Sequence, residues 1–161
     1  MNVTSTARNV RMSPKKVREV TRQIQGMPIA DAQAVLSAIP RKYARLVAKT
    51  LKTAIAAAEL IRSEWSEGDV QNRVAEIKQD IGNHTKGDGK LHRKFPHLPG
   101  KLARLEAYLD SEHKLAEGKL TVREAVVGAA TPLRRWRTRA RGGGSPIIKR
   151  TSHIRITLSD E

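Results

Sequence analysis

Arg134, Arg135, Arg137, Arg139, Arg141, Lys149, Arg150 and Arg155 crowd one stretch of this 161-residue chain, and no acid falls between Ala125 and Ser159. Like charges at that density repel one another and gain nothing from a folded core. Such a segment is stable only against a dense array of negative charge, and a nucleic-acid backbone is the array that fits it. A second cationic group, Arg8, Arg11, Lys15, Lys16, Arg18 and Arg22, lies near the start of the chain. Trp136 is the only aromatic residue in the basic stretch, placed to stack on a base or stand exposed rather than fill a core.

Other chemistries find little support. His84, His92 and His97 fit no strong zinc spacing and no cysteine assists them, so no metal is expected. Asp110 and Glu112, the nearest approach to paired carboxylates, would point to different sides of a helix. Gly142-Gly143-Gly144 is not followed by Lys-Ser/Thr and opens no helix, so it reads as a loop tip rather than a phosphate loop. His153 is placed as a hydrogen-bonding group at a strand start, not as a base. With no nucleophile, base and orienting group converging, neither an enzyme nor a cofactor is expected. The absence of cysteine excludes a disulfide framework and a zinc ribbon. No apolar run approaches the ~20 residues of a membrane span, and the residues before Arg8 are too few for a targeting peptide. The chain is expected to be soluble where it is made, or a transit peptide lies outside this sequence.

The net charge of +15 is unevenly spread. Residues 1–59 hold eleven Lys/Arg against three acids, residues 60–119 eleven against ten, and residues 120–161 nine against three. The ends are therefore the binding regions and the middle an ordinary solvated surface. The length suits one domain, and 39% apolar residues suffice for a modest core.

The elements that must position these charges can be read from spacing. Ser13-Pro14 predicts a helix start, with the serine oxygen as cap, and Gly26 the stop. Between them Val17, Val20 and Ile24 form an oily back to a front of Lys15, Lys16, Arg18 and Arg22. Ile29, Ala32, Val35, Leu36 and Ile39 predict a second helix ending near Pro40, which opens a third. That third helix carries Val47, Leu51, Ala54, Ile55 and Ala58 as the packing spine. Residues 60–119 read as an inserted helical segment: Val70, Val74, Ile77 and Ile81, then a loop over residues 82–100, then Leu102, Leu105 and Leu109. A helical hairpin is expected there, with a stretch disordered until it meets a partner as the alternative.

From Leu120 the period becomes two. Leu120, Val122, Ile154, Ile156 and Leu158 alternate with polar residues as half-buried strands do, and Arg8-Asn9-Val10-Arg11 could add a third strand. The basic stretch between them, with turn material at residues 142–146, predicts an extended β-hairpin over 128–153. Ten or so residues per arm would project roughly 30 Å. The expected fold class is α+β, three helices on a small antiparallel sheet with a protruding hairpin, as a single RNA-binding domain over 1–161.

Three motifs carry a resemblance: Ala7-Arg8 with Ser13-Pro14-Lys15-Lys16-Val17-Arg18, the helix from Ala48 to Glu59, and Lys149-Arg150-Thr151-Ser152-His153-Ile154. Over about residues 7–59 and 120–158 the chain resembles the large-ribosomal-subunit protein 22 family of bacterial type. The resemblance implies a structural protein of the large subunit, in the cytoplasm or in an organellar ribosome. Its implied partners are large-subunit rRNA, neighbouring ribosomal proteins and, where the hairpin lines the exit tunnel, the nascent polypeptide. It implies rRNA contact at Ser13, Lys15, Lys16, Arg18, Lys149, Arg150, Thr151, Ser152 and His153. It also implies Leu133, Arg134 and Arg135 on the tunnel-facing arm, with Trp136 and Arg137 beyond them and Arg139, Ala140, Arg141 and Gly142 at the tip. Gly128-Ala129-Ala130 stands where relatives commonly have an acidic pair, and Gly142-Gly143-Gly144 where a further arginine is usual. The alternative is a free-standing RNA-binding regulator or RNA chaperone. The scarcity of aromatic residues counts against a stacking-platform reader of single strands.

Overall fold

The computed structural model describes residues 1–65, 67–84, 95–111 and 114–160. In chain order these form β1 (Asn2–Val10), α1 (Pro14–Ile24), α2 (Ile29–Ala38), α3 (Lys42–Glu64), α4 (Glu67–His84), α5 (Leu98–Asp110), a 3-10 turn at Glu117–Lys119, β2 (Thr121–Thr138) and β3 (Gly144–Ser159). The expected α+β class holds. The sheet is antiparallel with order β1-β3-β2, so the last strand is central. Val3, Val122, Ala125, Val127, Ile154, Ile156 and Leu158 are buried from the sheet, and the α1, α2 and α3 stripes are buried with them. The other face, with Thr4, Thr6, Glu124, Val126 and Arg155, stays exposed as one face of an antiparallel sheet can.

The expected apolar stripes are where packing needs them: Val17, Val20 and Ile24 of α1, and Val47, Leu51, Ala54, Ile55 and Ala58 of α3. Pro14 occupies the first turn of α1 as expected, but Ser13 caps through its carbonyl alone, accepting from the amides of Lys16 at 3.1 Å and Val17 at 3.3 Å. Its hydroxyl makes no capping bond. The first strand is longer and earlier than residues 8–11. It pairs with β3 from Asn2↔Ser159 to Ala7↔Ile154, and Arg11 lies past its end.

β2 would present an open edge, and the α1–α2 connection covers part of it. The Gly26 amide donates to the Val122 carbonyl at 2.7 Å, the Val122 amide to the Met27 carbonyl at 2.9 Å, and the Ile29 amide to the Leu120 carbonyl at 3.2 Å. These bonds tie the helical layer to the sheet while blunting an aggregation-prone edge.

α3 runs five residues beyond Glu59, to Glu64, so the two-helix segment starts after Trp65. α4 buries Val70, Val74 and Ile77 and α5 buries Leu98, Leu105 and Tyr108. Among the described residues these two helices lie close to each other and to no other helix or strand. Lys78 bridges to Glu106 at 2.9 Å, and Trp65 meets Tyr108 edge-on at 5.2 Å while the Tyr108 hydroxyl donates to the Trp65 carbonyl. His92 and Glu112 lie outside the described residues.

The end of the segment is fastened at Asp160. Its buried carboxylate accepts from the Leu115 amide at 3.1 Å and from the Met1 ammonium. Burial alone would raise its pKa. The bonds from the ammonium and the Leu115 amide outweigh burial and hold it below the usual aspartate value. A depressed carboxyl contributes stability above its unfolded pKa and loses it as pH falls through the folded one. Asp160→Asn is therefore expected to lower unfolding free energy by about 3 kcal/mol near neutral pH. In denaturant titrations the gap between the two proteins should close as pH drops below the aspartate range.

Candidate nucleic-acid interface

The two long strands pass without interruption from the globular sheet into the protruding ribbon. β2 and β3 pair from Thr121↔Ser159 out to Thr138↔Gly144, with register shifts at Val122/Glu124 and Ala130/Leu133. β1 pairs only as far up β3 as Ser152, so the ribbon beyond it is two-stranded. The turn comprises residues 139–143, closed by the Arg139 amide on the Gly143 carbonyl at 2.9 Å. That places it nearer the arginines than residues 142–146: Ser145 and Pro146 belong to β3, opposite Arg137 and Trp136. Arg141 and Gly142 adopt φ of 59° and 68°, and the left-handed conformation makes glycine the natural residue at 142.

Pairing sorts the ribbon side chains onto two faces. Leu133, Arg135 and Arg137 share one with Ser145, Ile147 and Lys149; Arg134, Trp136 and Thr138 share the other with Gly144, Pro146 and Ile148. Leu133, Arg134 and Arg135 therefore cannot all present one side. Arg134, Arg135, Arg137, Arg139 and Arg141 are all exposed and form no ion pair among the described residues; Arg135 donates to the Arg134 carbonyl at 2.8 Å and Arg139 to the Ser145 hydroxyl at 3.0 Å. Trp136 is 68% exposed and Ile148 59% exposed. The Trp136 indole covers Gly144 so closely that an added Cβ would stand 2.2 Å from its Nε1. Gly144 thus serves as the floor under the only aromatic of the ribbon, a role its place in a glycine run did not reveal.

At the ribbon base the expected contact residues separate. Lys149 and Arg150 are exposed, whereas Thr151 and Ser152 are buried at 4% and 0% exposure. The Thr151 hydroxyl donates to the Thr131 carbonyl at 2.6 Å, bracing the register shift. Neither side chain has appreciable surface to offer a ligand: parity in β3 turns Ser152 toward the same side as Ile154 and Ile156, and Thr151, on the opposite side, is engaged by the Thr131 carbonyl. Half-buried His153 accepts the Asn9 amide on Nδ1 at 3.2 Å, where Asn9 sits at a φ of 53° in the β1 irregularity between Ala7 and Val10. That bond reserves Nε2 as a donor. Arg8, inside the same irregularity, and Arg11, just past the end of β1, are exposed.

Lys15, Lys16 and Arg22 of α1 are exposed and in no ion pair among the described residues. Arg18 differs. Its Nε and Nη2 both donate to the Val127 carbonyl, at 3.2 and 3.1 Å, so the guanidinium clamps α1 to the outer edge of β2 where the ribbon leaves the sheet. Sequence periodicity could not find this, since the acceptor lies over a hundred residues away and is a backbone atom. His84 lies against the Phe95 ring at 4.3 Å, and no metal-binding group of three His, Cys, Asp or Glu exists among the described residues. No described helix is long and apolar enough to cross a membrane.

Comparison with known proteins bears on what this surface is for. The profile of the family described as Ribosomal protein L22p/L17e matches residues 5–86 and 95–159. The match runs past the quoted motifs and into the α4–α5 segment from both sides. The chain is 32% identical, over 160 residues, to the large ribosomal subunit protein uL22 of Opitutus terrae, covering 99% of this chain and 96% of that one.

Because it binds a partly exposed carbonyl, Arg18 should be worth more to the fold than its neighbours. Arg18→Ala is expected to cost about 1 kcal/mol of unfolding free energy, with Arg22→Ala within about 0.5 kcal/mol of the parent, both read by chemical denaturation.

Proposed function

Since this chain belongs to the ribosomal protein L22p/L17e family, we propose that it binds large-subunit rRNA through its basic ribbon and α1, supports subunit assembly, and lines the polypeptide exit tunnel with the ribbon. Family membership makes it a structural, non-enzymatic protein of the large ribosomal subunit in the cytoplasm, with rRNA and other ribosomal proteins as partners. The finer reading rests on one observation above all: a two-stranded, acid-free ribbon with five exposed arginines, continuous with the domain's own sheet. A ribbon without a core of its own is marginal in water. Phosphates on its flanks would neutralise the arginines and supply the missing packing.

The contact set consists of the exposed residues Arg8, Arg11, Lys15, Lys16, Arg22, Lys149, Arg150 and the ribbon arginines, with His153 offering Nε2–H. Arg18, itself exposed, ties α1 to the β2 edge within that surface, and Thr151 and Ser152 shape it from beneath. The Trp136, Pro146 and Ile148 face suits a base or a passing nascent chain better than it suits phosphate. The α4–α5 segment, nearly neutral over residues 60–119, is a peripheral surface for rRNA or a neighbouring ribosomal protein.

Glutamine at Arg134, Arg135, Arg137, Arg139 and Arg141 together tests the reading. If each arginine neutralises one phosphate, the slope of log affinity for large-subunit rRNA against log salt should flatten by about 3.5 to 4.5. Co-sedimentation with the large subunit after a high-salt wash should weaken in parallel. A parent protein found mainly off the ribosome, or binding DNA equally well at ~0.2 M salt, would instead favour the free-standing regulator.

A further inference from the structure

We propose that the groove between α2 and α3 is a second RNA-backbone site, separate from the ribbon and α1. The proposal rests on the rRNA-binding reading above and adds a location that reading does not include.

The groove has a volume of about 850 Å³. One wall is α2, with Ala30, Gln33 and Ala34; the other is α3, with Arg45, Lys49 and Lys52. The three cations stand at i, i+4 and i+7, a single stripe covering about 10 Å of helix axis. All three are exposed, and among the described residues no acid lines the groove and none of the three is in an ion pair.

The neighbouring groove between α1 and α2 makes the contrast. It shares Ile39 and Pro40 with the first, yet an acid, Glu19, lines it and holds one of its two cations, Arg41, at 2.9 Å, with the Tyr43 hydroxyl accepting from the same guanidinium; the other cation, Arg22, belongs to the basic front of α1. The α2–α3 groove has no such answer. Three uncompensated cations on one stripe repel one another, and a polyanion running along the groove relieves that repulsion.

The opposite wall decides what kind of polyanion fits. Ala30 and Ala34 keep it low, so a sugar-phosphate backbone can come close to α2. Gln33 adds an amide that both donates and accepts, a match for a ribose 2′-hydroxyl. No aromatic residue among those described lines the groove, so bases would not stack there and recognition would follow the backbone alone.

The test uses the full chain and protein-free large-subunit rRNA, with Arg45, Lys49 and Lys52 all changed to Gln, a good helix former at three exposed sites. An unchanged circular dichroism spectrum and melting temperature would establish that the fold is intact. The salt slope of binding should flatten by about 2 to 3, and ribose protection should disappear from an rRNA segment other than the one lost in the ribbon variant. An unchanged slope and footprint, with the ribbon variant still flattened, would overturn the groove proposal and leave the rRNA reading standing. The same result with a defect in joining the assembled subunit would assign the groove to an acidic protein. A parent chain showing no salt-dependent affinity for rRNA would remove both.

Discussion

From Ser152 to Ser159 the backbone of β3 is hydrogen-bonded on both sides, to β1 and to β2, and the rest of the molecule depends on that double pairing. It buries Ile154, Ile156 and Leu158 against the helices and anchors the two strands whose far halves leave the domain. Beyond Ser152 only β2 remains as a partner. The ribbon is thus an overhang whose stiffness begins in a packed sheet, and its direction is fixed before any partner arrives.

Around that anchor the protein spends its few specific polar contacts where elements meet. Arg18 holds α1 to the β2 edge, the Gly26–Ile29 connection fills the same edge lower down, and His153 joins β1 to β3. The Thr151 hydroxyl fastens the two strands of the ribbon where their register shifts. Asp160 gathers the chain start and the end of the two-helix segment at the other end of the sheet. Most of the described cations near the two ends of the chain, by contrast, are in no ion pair among the described residues. This division lets a chain of net charge +15 keep an ordinary core while reserving its ends for a polyanion.

The helices were legible in the sequence because their apolar stripes are local: the residues read at period 3.6 in α1 and α3 are the buried ones. Legibility failed where partners are distant. Asn2 to Ala7 has only Val3 as a core residue, and its strand exists because β3 pairs with it. The turn was displaced toward Ser145 because glycine and proline mark flexibility, while the position of the bend is set by pairing across the ribbon. Burial of Ser152 follows from which side of β3 faces the helices and that of Thr151 from the Thr131 backbone across the register shift, and a motif gives their identity without that orientation. Leu115 and Tyr108 entered the core through contacts with Asp160 and Trp65 that no spacing announces.

The register shift between Ala130 and Leu133 has a further meaning when it is considered as arithmetic. Side chains on a strand alternate with period two, so the ribbon's orientation is a matter of odd or even. Between the pairs Ala130↔Thr151 and Leu133↔Lys149, β2 advances three residues while β3 advances two, so Thr131-Pro132 holds one extra residue that the bulge absorbs. Losing that residue would make the pairing regular and leave Arg135 and Arg137 on the face they hold now, whereas a single loss between Leu133 and Arg135 would send both to the side of Trp136. A change of length is therefore absorbed at this joint and turns the ribbon over anywhere further out.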